Sequence, residues 1–92
     1  MINTQQLQTI GNQVAEKIES KYPSLIIHFS ANPVPDKAAT FVEVLIGTKE
    51  GGLEKLFQFG VIEHSTAPNA FRFERVFEKE ITACTHQFLG IG

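Results

Sequence analysis

The sequence predicts an α+β domain of order α-β-β-β-α, a three-stranded antiparallel meander with both helices packed on one face of the sheet. Two stripes and a hairpin predict it. Apolar residues recur at helical spacing near each end of the chain, at Leu7, Ile10, Val14 and Ile18 and again at Phe73, Phe77, Ile81, Cys84 and Phe88. Between them, Thr40 to His64 reads as two β-branched and aromatic arms around a polar turn that holds Gly51 and Gly52. Consecutive strands with short links pair as antiparallel neighbours.

The first helix runs from Asn3 to about Lys21. Asn3 is a fair N-cap, and Gln6, three residues on, completes a capping box. Pro23 biases Tyr22 away from helical geometry and stops the helix. Leu25 to Ser30 follows as a short uncharged strand, with Leu25, Ile27 and Phe29 on one side. Ala31 to Ala39, with Pro33 and Pro35, reads as a loop. The central hairpin comes next, its turn placed over Thr48 to Lys55. Gly60 within its second arm suggests a bulge or a close backbone approach. Ser65 to Asn69, with Pro68, is a second break. Ala70 to Leu89 reads as a helix of about five turns, although Phe71-Arg72-Phe73 also alternates like a strand. Gly90 stands where a helix-ending glycine is expected. The sheet face expected to meet both helices is Leu25, Ile27, Phe29, Val42, Val44, Ile46, Phe57, Phe59 and Val61.

Ninety-two residues fit one domain, 1–92, with one modest core. A hydrophobic content of 42% with eight Phe suits a folded chain. Eight basic residues stand against ten acidic ones, without a Lys/Arg run, so nothing resembles a duplex-binding footprint. No membrane span and no secretory signal is visible. The single Cys cannot staple its own chain, and these features together point to the cytoplasm.

Candidate chemistry is sparse. Cys84 and His86 stand two positions apart on a helix and point about 200° from one another, so they can neither grip one metal nor form a nucleophile–base pair. No metal-ligand spacing is present, and no cofactor motif. Glu63 with His64, or Glu43 with His28, are the acid/base pairs that remain; neither carries a catalytic assignment, and the chain reads as a non-enzyme.

The second sheet face is the informative feature. Ile26 and His28, Phe41, Glu43 and Leu45, Leu56, Gln58, Gly60 and Ile62 alternate away from the predicted core, and a face turned only to water should be mostly polar. Its mixture of aliphatics, one Phe and scattered polar groups resembles a protein contact surface. Ile26, His28, Phe41, Glu43, Leu45, Gln58 and Ile62 are therefore the expected partner-binding residues. Competing readings are that one helix wraps over this face, or that its apolar members are singly exposed. The first strand also lacks Lys, Glu or Pro protection, which invites strand addition by a peptide or a second copy.

The expected partner is another protein or a second copy of the chain, bound as an inhibitor, immunity factor, chaperone or assembly subunit. In size and mild acidity the chain is similar to phage- and plasmid-encoded inhibitors of bacterial defence, anti-CRISPR proteins included, though no motif carries that similarity. The alternatives are a small-molecule module or minor enzyme with a pocket at a helix–sheet or dimer seam, and a nucleic-acid-facing sheet using Phe41 and Gln58, which the pI near 5.9 opposes.

Overall fold

The structure, a computed structural model, describes residues 2–66 and 70–91. Its elements are α1 Thr4–Lys21, β1 Leu25–Pro33, β2 Ala39–Thr48, β3 Gly52–Glu63, a short 3-10 turn His64–Thr66 and α2 Ala70–Leu89. The sheet is antiparallel in the order β1-β2-β3, so the predicted α-β-β-β-α meander is the observed one. The predicted break at Pro68 falls on residues outside those described.

Local chemistry explains where α1 starts and where α2 stops. Asn3 is extended at the N-cap (φ −129, ψ 172); its Oδ1 accepts the Gln6 amide at 2.8 Å, and Gln6 Oε1 accepts the Asn3 amide at 3.0 Å. At the far end of α2, Gly90 takes φ 74. Its amide reaches Gln87 O at 3.2 Å, and the Ile91 amide reaches His86 O at 3.0 Å. That pair of bonds is the Schellman arrangement, which satisfies carbonyls the helix leaves open.

The strands are longer than the sequence suggests. β1 continues through Ala31 and Asn32 to Pro33, so only residues 34–38 form the loop. Pro33 is tolerated because its missing amide points to the outer edge, on the same side as the Ile27 and Ala31 amides, where no ladder bond is lost. Asp36 turns the loop at φ 62, a region Asp enters more readily than most residues. The second turn shrinks to Lys49–Gly51, with Thr48 Oγ1 accepting the Gly51 amide at 2.8 Å.

Both helices lie on the sheet face of Ile27, Phe29, Val42, Val44 and Ile46. Leu7, Val14 and Ile18 of α1 and Phe73, Phe77 and Ile81 of α2 complete one core cluster with those residues. Its centre is Phe29, whose ring lies 4.9 Å from that of Phe77 and rests on the α1 backbone at Gly11.

β3 departs from the expected alternation. Its pairing with β2 shifts between Val42 and Glu43 and again between Ile46 and Gly47, which leaves Phe59 and Glu54 as extra residues. Each extra residue moves the period of two by one position. Val61, expected in the core, therefore faces away from it and is 57% exposed. Ile62, expected on the second face, pairs with Thr40 and packs against the core cluster, and Gly60 moves with it, opposite Val42. Gly60, at φ 98, does stand beside a bulge as its sequence position suggests.

Candidate functional site

The second sheet face is built from three rows. β1 supplies Ile26, His28 and Ser30, β2 supplies Phe41, Glu43 and Leu45, and β3 supplies Leu53, Leu56, Gln58 and Val61. Register sorts them by chemistry. His28, Leu45 and Leu56 are cross-strand neighbours, and Ile26 and Leu53 flank Gly47 in the next rank, so one end of the face is aliphatic. Ser30, Glu43 and Gln58 form a polar band across the middle, and Phe41 with Val61 makes a second apolar spot beyond it. Among the described residues no element lies over this face, since both helices occupy the opposite one. Leu53 and Leu56 are each 46% exposed; Phe41, Glu43 and Leu45, flanked by strands on both sides, are half-buried.

Six of the seven expected residues thus share one surface: Ile26, His28, Phe41, Glu43, Leu45 and Gln58. Ile62 does not belong to it, for the bulge reason given above. Leu53, which the expected turn covered, and Val61, which simple alternation assigns to the core, also take part; Gly60 is the sequence signal that the period breaks beside Val61.

The edges of the sheet also differ from expectation. β1 was expected to be bare, yet α1 occupies its outer backbone groups. Gln8 uses both ends of its amide, accepting the Ala31 amide and donating to Phe29 O, each at 2.8 Å. The Glu19 carboxylate accepts the Ile27 amide at 2.8 Å. These side chains stand in for a neighbouring strand. On β3, between Leu53 and Ile62, no described side chain plays that part.

The remaining polar groups are structural in their geometry. Thr40 Oγ1 lies 2.7 Å from His64 Nε2 and 2.7 Å from Thr4 Oγ1, a spacing that would suit a nucleophile and its base. Thr40 is wholly buried, so no substrate reaches it; the chain of bonds ties the start of α1 and of β2 to the turn after β3. His86 Nε2 meets the Tyr22 hydroxyl at 3.1 Å and joins the two helix ends. Cys84 is buried in the core, and burial, with a smaller contribution from Glu80, pushes its thiol pKa up. No hydrogen bond joins His28 to Glu43, which pair with different residues, Leu45 and Ser30. Among the described residues no group of three His, Cys, Asp or Glu could hold a metal ion, and no helix is long and apolar enough to cross a membrane. A shallow groove of about 280 Å³ runs between β3 and α2, lined by Phe59, Ile62, Phe73, Val76, Phe77 and Glu80.

Comparison with family models, curated proteins and solved structures gives no match to the chain. The functional reading therefore rests on the surface itself.

Proposed function

We propose that this chain is a non-enzymatic protein-binding protein that acts through its open sheet face, as an inhibitor, immunity or anti-defence factor or as an assembly or chaperone subunit, in the cytoplasm. The observation that carries the reading is one continuous sheet face with apolar ends at Ile26, Leu45, Leu53 and Leu56 and at Phe41 and Val61, parted by the polar band of Ser30, Glu43 and Gln58. Apolar area gives such a face affinity, and a central polar band sets the orientation of what lands on it.

The test is a comparative capture from the native host. Leu45→Glu and Phe41→Glu should keep the wild-type circular dichroism spectrum and a similar melting temperature, yet lose a protein that the wild type retains. Lys21→Glu, on the exposed side of α1, should still capture it. If the face variants keep the partner, or melt as early as Phe29→Ala, the proposal fails.

A second reading has one observation in its favour, the apolar groove between β3 and α2, whose volume is near the lower end for small-ligand sites. A metabolite that raises the melting temperature through binding there, with the rise abolished by Val76→Glu, would move the assignment to a small-molecule module.

A further inference from the structure

We infer that two copies of this chain pair through the outer edge of β3, antiparallel and centred on Phe57, to form a six-stranded sheet that carries two open faces side by side. The inference names a second copy as the occupant of an edge; it is separate from the open-face reading, because that face stays exposed in the pair.

Three observations lead there. The first is the asymmetry of the two edges. α1 closes β1 with Gln8 and Glu19, while β3, the longest strand at 12 residues, has no buried residue, and among the described residues nothing caps its outer backbone groups between Leu53 and Ile62. Uncapped edges of this length are templates for another strand.

The second is that β3 is its own complement. Phe57 pairs with Val44; Gly52 and Ile62 pair with Thr48 and Thr40, each four ladder positions from Val44. The strand is thus symmetric about Phe57 in ladder positions, and one bulge falls in each half. A two-fold axis at Phe57, perpendicular to the sheet, lets both strands run their full length in register. Phe57 turns its backbone groups to Val44, so Leu56 and Gln58 turn theirs outward and would exchange bonds with the second copy's Gln58 and Leu56. Leu53, 46% exposed, then comes beside the second copy's Val61, 57% exposed, and the reverse. A shift of the axis by one ladder position leaves the strand ends overhanging.

The third is charge. Lys55 sits opposite Ile46 on the helix side of the sheet and is exposed, with its Nζ 5.2 Å from the centre of the Phe57 ring. In the centred register it comes beside the second copy's Phe59 and Gly60. The groove next to Gly60 is lined by Phe59, Ile62 and an exposed acid, Glu80. Each Lys55 is thereby brought to the rim of its partner's apolar groove, where Glu80 is the one acid among the lining residues. Val76, 41% exposed at the same groove, is covered from the other copy.

Sedimentation velocity over a wide concentration range tests the pairing. The wild type should move from monomer to dimer as concentration rises. Lys55→Glu should weaken dimerisation by about tenfold or more, because it faces Glu80 with a like charge, and Lys55→Glu/Glu80→Lys should restore it. Phe57→Cys in a Cys84→Ala background should form an intermolecular disulfide on mild oxidation, since facing residues at such a position have Cα atoms about 4.5 Å apart; His28→Cys, on β1, should not. A wild type that stays monomeric at all concentrations, or a dimer indifferent to Lys55→Glu, overturns the inference. Neither Lys55 nor Glu80 lies on the open face. A chain that never dimerises yet captures its partner through Leu45 would sink the pairing alone, and a dimer that captures nothing would sink the face alone.

Discussion

Gly11 and Gly60 show how differently two glycines can be required. A Cβ at Gly11 would run into the ring of Phe29, which is 1% exposed and held against Phe77. Ala is the better helix former by about 1 kcal/mol, yet a buried aromatic has nowhere to move, and overpacking costs about 1–3 kcal/mol. Gly11→Ala should therefore lower the unfolding free energy in urea, and Phe29→Leu in the same chain should recover part of the loss. At Gly60 a Cβ meets nothing within 4 Å, but φ is 98. Gly60→Ala should cost about 1–2 kcal/mol through backbone strain alone, and no second substitution nearby should rescue it. Cys84 gives a pH signature. Its thiol pKa is raised by burial first and Glu80 second. A proton held more tightly in the folded state supports stability fully below the ordinary thiol pKa, and that support is lost as pH climbs through the raised value. Wild type should lose stability at alkaline pH more steeply than Cys84→Ala in parallel urea titrations.

At the scale of the element, legibility in the sequence follows how far each pattern repeats. The stripes of α1 and α2 span several turns, and Asn3, Gln6, Pro23 and Gly90 act through the backbone of their own neighbours, so both helices can be placed from residues alone. β2 is likewise plain, because Val42, Val44 and Ile46 alternate without interruption and all are wholly buried. β3 is legible as a strand but not in its facing. A bulge adds a residue of any type, and Phe59 looks like one more core position; only Gly60 hints that Val61 and Ile62 exchange places. The protection of β1 was hidden for another reason. Gln8 and Glu19 read as the polar side of an amphipathic helix, and their role appears only once α1 is set beside the strand. Gln8→Ala removes two bonds from that edge. It should cost about 1–2 kcal/mol, measured by thermal or urea unfolding, whereas Gln13→Ala at an exposed site of the same helix should be nearly neutral.

For the molecule as a whole, the decisive contrast lies between the two faces of one thin sheet. Truncating Phe29 or Phe77 on the helix side should cost about 3–5 kcal/mol, a large part of the total for a domain of this size. Leu45→Glu on the opposite side should change stability far less, and equal losses on both sides would show that the open face is core. The helix side is why the chain folds; the reverse is what folding leaves available. The bonds from Gln8 and Glu19 carry one more consequence. The amides of Ile27 and Ala31 sit on an outermost strand, where solvent deuterium normally enters quickly. Here they are shielded only while α1 is docked, so their labelling rates, followed by nuclear magnetic resonance, should report the lifting of that helix as a single event.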